Sequence, residues 1–149
     1  MAPWMTLALS VAALVLVLSL LLWARRGMAA ARANLSAVPA GRTARRQSFA
    51  QRFGLRSKGA VQLRGAGYLA LFEDELVFVQ AIAENHVRAR LRDIIGVTTP
   101  RSFLGKTQGV KLLAVEWRTG NTSDQVALRV PDLDDWVKDL GGVTVAKDA

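Results

Sequence analysis

Residues Gly65–Val79 read GAGYLALFEDELVFV, two short apolar runs on either side of an acidic turn. Tyr68 to Phe72 and Leu76 to Gln80 carry the aromatic and branched residues that suit a pleated, half-buried surface, and Glu73–Asp74–Glu75 between them suits an exposed turn. The stretch therefore predicts a β-hairpin, with Gly65 and Gly67 supplying a tight corner before it.

The same texture continues downstream. Val87, Ala89 and Leu91 alternate with Arg88, Arg90 and Arg92, the period of a strand with one buried face. Ile94 to Thr99 predicts a further strand. After the loop Pro100–Gly109 come Val110 to Trp117, a turn containing Gly120–Asn121, and Gln125 to Val130. With Val61 to Arg64 as the first strand, this gives seven strands in antiparallel succession. The period then changes once: in PDLDDWVKDLGG, from Pro131, the residues Leu133, Trp136, Val137 and Leu140 fall on one stripe of a short helix. Pro131 and Asp132 start that helix, Asp134 and Asp135 suit the positive end of its dipole, and Gly141 ends it.

Upstream lies a different kind of segment. Trp4 to Ala24, WMTLALSVAALVLVLSLLLWA, has no charge and nothing more polar than Thr6, Ser10 and Ser19. As a helix it spans roughly 30 Å, the thickness of a bilayer's hydrocarbon core, and Trp4 and Trp23 stand where indole rings prefer to lie, at the two interfaces. A soluble helix of this length needs a polar face, and this one has none. A cleaved signal peptide, the competing reading that the small residues Ala29, Ala31 and Ala33 bring up, carries its positive charge before a shorter apolar run; here both features are reversed. Lys and Arg are absent before the segment and plentiful after it, so the positive-inside rule places the N-terminus outside and the rest of the chain in the cytoplasm. The expected location is the cell's inner membrane, crossed once.

The 149 residues carry 20 Lys and Arg against 12 Asp and Glu, a net charge of +8. The excess is local. Residues 25–64 hold ten of the twenty cations and no acid, whereas from Glu73 onward ten cations face twelve acids, leaving −2. Arg25, Arg26, Arg32, Arg42, Arg45, Arg46, Arg52, Arg56 and Lys58 thus form the candidate membrane-surface set. Such cations gain on the order of 1 kcal/mol each when held close to anionic lipid. A tether at the membrane favours this reading over nucleic acid. Between Gly27 and Gln47 no apolar periodicity persists; the membrane helix is expected to run on through Met28 to Leu35 and to end before Pro39. In QSFAQRFGLR, Gln47 to Arg56, the residues Phe49, Phe53 and Leu55 suit either a membrane surface or packing beneath the domain. The expected organisation is an anchor at 1–26, a basic linker at 27–58, a domain at 59–141 and a tail at 142–149.

Chemistry-bearing motifs are scarce. The chain has no Cys, which removes disulfides, thiolate catalysis and a lipidated anchor, and its one histidine, His86, lies in a predicted turn without a nucleophile motif. Gly105–Lys106–Thr107 imitates the end of a phosphate loop, but Pro100 stands where the cradle needs glycine. Asp132, Asp134 and Asp135 are accounted for by the helix dipole rather than by a metal. No catalytic residue, cofactor or metal is expected. The loop Pro100–Gly109 places Phe103 and Leu104 at its tip between Arg101 and Lys106, so this pair either folds back onto the domain or forms a partner-docking contact.

Seven strands closed by one helix is the plan of a pleckstrin-homology barrel, and the runs GAGYLALFEDELVFV, RLRDIIGV and VPDLDDWVKDL resemble the bacterial PH-like and GRAM-like domains. Joined to a single membrane helix in an Arg- and Ala-rich chain, they resemble the PH-like membrane proteins of actinobacteria. The resemblance implies a seven-stranded antiparallel barrel plugged by a C-terminal helix, and membrane-associated binding without catalysis. Two functions follow as expectations. The first is an anchored module that docks an unidentified protein partner, for instance as an accessory subunit of a membrane complex; the second is a sensor of anionic lipid headgroups.

Overall fold

The computed structural model describes residues 3–37, 42–81, 86–107 and 109–141. Its organising strand is one that the sequence reading gave to the linker. Strand β1 (Arg46–Leu55) pairs with β2 (Gly65–Leu71) through Arg46–Arg52 and with β9 (Thr122–Arg129) through Gln51–Leu55, with a register shift between Arg52 and Gly54. A bulge of this kind bends the strand and increases its twist. β1 therefore serves two directions at once. Around it the order is β4-β3-β2-β1-β9-β8-β5, every neighbour antiparallel, with β3 at Glu75–Gln80, β4 at His86–Arg90, β5 at Ile94–Thr98 and β8 at Leu113–Thr119. The edges β4 and β5 follow one another in the chain through the 3-10 turn Leu91–Asp93, but no ladder joins them among the described residues, so the sheet stays open there.

Two placements differ from expectation. Val61–Arg64 forms no strand, and the folded region begins before Gly59, with β1 inside the supposed linker. Gly65 and Gly67 lie within β2 rather than in a corner. At Gly67 the backbone of β3 crosses too close for a side chain, since a Cβ would stand 2.0 Å from the Val79 carbonyl oxygen, whereas a Cβ on Gly65 would meet only the movable end of the Gln80 side chain, at 2.3 Å.

The inner face of the curled sheet buries Ala50, Leu69, Phe78, Val115 and Leu128, and helix α2 (Leu133–Gly141) closes one end of it with Trp136 and Leu140, both fully buried. The Trp136 indole N–H donates to Ser48 Oγ at 3.1 Å, satisfying a donor that would otherwise be costly to bury. Arg46 lies over the same ring at 5.8 Å and pairs with Asp135 and Asp139 of the helix. Ser48 and Arg46 belong to the first half of β1, where it meets the Leu71 end of β2, so α2 sits at that end of the sheet.

Helix α1 (Pro3–Ala37) contains the apolar stretch Trp4–Ala30, long enough to cross a membrane and with none of it buried inside the protein. Ser10 and Ser19 return their hydroxyls to the carbonyls of Thr6 and Val15 at 2.9 and 2.8 Å, so the helix exposes little unmet polarity along its apolar length. It runs past the apolar stretch as one helix and packs against β2 and β3. The residues 1–2, 38–41, 82–85, 108 and 142–149, and with them Pro39, Glu84, Asn85 and the tail, lie outside the described residues.

Candidate membrane-facing site

A groove of about 800 Å³ opens where α1 meets the domain, lined by Ala24 and Met28 of the helix and by Arg52, Lys58, Leu63 and Arg64 of the domain. The Gly65 end of β2 and the Gln80 end of β3 also border it, which is the end of the sheet opposite α2. Met28 lies little more than one turn beyond Trp23, the expected interfacial residue, so the groove stands at the level where the apolar helix gives way to the basic flank.

Arg52 is the unusual member. In register it faces Gly65 on one side and Leu128 on the other, and Leu128 belongs to the core. Its neighbours in that row, Ala50 and Ser48, are small, and the arginine is only 4 % exposed. Its Nε has no hydrogen-bond partner, and burial, unrelieved by any acid, pushes its pKa down. A buried guanidinium without a carboxylate is costly unless something else meets it. Such a group, aimed into an open groove, can neutralise an anion.

The segment between β1 and β2 completes the rim. Gln62 behaves as a substitute strand: its amide accepts from the Leu55 N–H at 3.0 Å and donates to the Leu55 carbonyl at 2.7 Å. The Gln62 carbonyl in turn accepts from Lys106 Nζ at 2.6 Å, and the Arg64 guanidinium lies 4.4 Å from the centre of the Phe53 ring. Gln62 and Arg64 thus grip the domain, while the alternate residues Val61 and Leu63 are 99 % and 89 % exposed.

Of the cations the sequence singled out, the structure divides the set. Arg25 and Arg26 are exposed on α1, as is Arg32, and Arg45 is exposed beside β1. Arg42 pairs with Asp74 and Glu75 and lies over Phe72 at 5.5 Å; Arg46 is engaged with α2; Arg56 binds Glu116 at 2.9 Å and Gln125. Those three brace the domain's own elements. Arg52 and Lys58 come together at the groove with Arg64, a residue expected in a strand.

Of the two readings left open for the loop Pro100–Gly109, folding back or docking, the burial of its apolar pair agrees with the first. Phe103 is buried with Phe53, Leu112 and Ala127, and Leu104 packs against the same cluster. They sit in a small hairpin, β6 (Ser102–Phe103) with β7 (Lys106–Thr107), whose two turn residues Leu104 and Gly105 both have positive φ, 50° and 74°. Arg101 donates to the Gly109 carbonyl at 3.4 Å and Lys106 holds Gln62. The hairpin buttresses the Val61–Leu63 segment instead of projecting, a role no local signal announced because Phe53, fifty residues earlier in sequence, supplies the apolar cover. Among the described residues no group of His, Asp and Glu is placed to hold a metal.

Fold and site together define a small antiparallel-sheet domain carried on a long apolar N-terminal helix. No protein-family model matches the sequence, and no curated protein matches it. A crystal structure described as the C-terminal domain of an unknown protein from Leishmania infantum is similar, with a TM-score of 0.50 and 16 % identity over 72 % of this chain and 89 % of that one. The likeness concerns the fold.

Proposed function

We propose that this chain is a single-pass membrane protein, N-terminus outside, whose PH-like cytoplasmic domain is a non-enzymatic module for anionic lipid headgroups. The observation that supports it is Arg52, a buried cation without a protein counter-ion in a groove shared with the end of the membrane helix. A phosphate there answers the unmet charge, with Lys58 and Arg64 on the rim and the exposed Arg25 and Arg26 adding attraction to the same leaflet. Docking of a protein partner, the competing function, is weakened by the burial of Phe103 and by Lys106's attachment to Gln62.

The test uses the full chain in neutral detergent. Short-chain phosphatidylglycerol should raise its melting temperature while short-chain phosphatidylcholine does not, since a ligand that binds only the folded state stabilises it by mass action. Arg52→Gln should abolish the difference. Equal shifts with both lipids, or an undiminished shift in the variant, would remove Arg52 from the function.

A further inference from the structure

Val61 and Leu63 are, outside α1, the most exposed large apolar side chains among the described residues. Loops with apolar residues generally fold them inward, as Phe103 does here, because exposed apolar area is unfavourable in water. The segment that carries them is not loose. It is fixed from behind by the Gln62 amide on both backbone groups of Leu55, by Lys106 on the Gln62 carbonyl, and by Arg64 on the Phe53 ring. Its apolar side chains therefore point away from the domain by construction.

We infer that the segment Gly59–Arg64 is a second membrane contact, with Val61 and Leu63 buried in the interfacial layer of the leaflet from which α1 emerges. Three observations choose a bilayer as the occupant. Leu63 lines the same groove as Ala24 and Met28, so the segment stands beside α1 at the depth where the helix leaves its apolar stretch. Lys58 and Arg64 flank the two apolar residues, the arrangement of an element whose apolar part enters acyl chains while cations stay among headgroups. And α2, with its acidic first turn, lies at the opposite end of the sheet, so the domain presents its apolar and basic end, not its acidic one, towards the helix.

The inference rests on α1 spanning the membrane but not on the headgroup site. Because the chain has no Cys, single cysteines placed at Val61, Leu63, Leu14 and Lys138 accept an environment-sensitive fluorophore at one position each. The full-length chain is placed in nanodiscs of phosphatidylcholine alone and of phosphatidylcholine with phosphatidylglycerol, with or without lipids bearing a quencher on the acyl chain. Labels at 61 and 63 should emit to the blue of the label at 138 and lose several-fold intensity to the lipid-borne quencher in both lipid mixtures, while the label at 138 is unaffected. The Leu14 label reports whether α1 is in the bilayer. Quenching at 14 with water-like, iodide-accessible emission at 61 and 63 overturns the contact while leaving the anchor intact. A blue shift at 61 and 63 that survives in detergent and ignores the lipid-borne quencher also overturns it, in favour of a protein or a second copy on that surface. Loss of the headgroup effect of Arg52→Gln with quenching retained would fail the headgroup function alone.

Discussion

Arg52 stands in the row of β1 that also holds Arg46, Ser48 and Ala50, and, unlike Arg46, its charge is buried without an acid to meet it. Removing the charge should help the empty domain and harm the loaded one. Arg52→Met is expected to raise the unfolding free energy of the lipid-free protein by about 1–3 kcal/mol, because a buried ion without a partner is replaced by a side chain of similar length that needs none. Chemical denaturation of both forms checks this, and a less stable variant would mean that the guanidinium has a partner in solution. A second residue-scale expectation concerns acid. The Ser123 hydroxyl donates to Glu116 at 2.7 Å and holds its carboxyl below the ordinary range, helped by Arg56. A carboxyl lowered by folding contributes stability above its unfolded pKa of about 4.3, and the contribution disappears as pH falls through the folded value. The melting-temperature gap between the wild type and Ser123→Ala should therefore be present at neutral pH and shrink as pH falls below the unfolded value of about 4.3 through the lower folded one.

At the scale of elements, α2 is the cap on which the core depends. Trp136 is fully buried, bonded to Ser48 and covered by Arg46. Trp136→Ala leaves a cavity costing about 3–5 kcal/mol, a large part of the roughly 5–15 kcal/mol that a domain has in total. Thermal unfolding should show a loss of many degrees, and a small change would place the helix outside the core. This helix was legible in the sequence because it repeats one period over its whole length, the β2–β3 hairpin because two apolar runs flank an acidic turn, and the apolar α1 by its length alone. β1 was not. Its inward row contains Arg52, its outward row contains Phe53 buried beneath Phe103, and the irregularity between Arg52 and Gly54 breaks the count, so neither face reads as a face. Val61–Arg64 misled in the opposite way. Its alternation is real, with Gln62 bonded to the domain, the exposed Arg64 lying over the Phe53 ring and Val61 and Leu63 outward, but the hydrogen bonds come from a side chain rather than a strand ladder, and sequence period cannot tell the two apart. Of the site, the cations were visible in the composition; which of them pair with acids of distant strands, as Arg42, Arg46 and Arg56 do, depends on contacts that only the fold creates.

At the scale of the whole molecule, the basic flank after Ala24 sets the expected topology: protease added to inverted membrane vesicles should digest the sheet domain, and right-side-out vesicles should protect it. Protection in the inverted vesicles would reverse the orientation and remove the anionic leaflet from the function. α1 is a single unbroken helix that both fills the apolar span and packs on β2 and β3, with no hinge among its residues 3–37. Helices longer than the local hydrocarbon thickness tilt to fit, and a thinner bilayer demands more tilt. If α1 spans a bilayer, a domain packed on it leans with the helix, and membrane thickness would then set the angle at which the groove meets the headgroups.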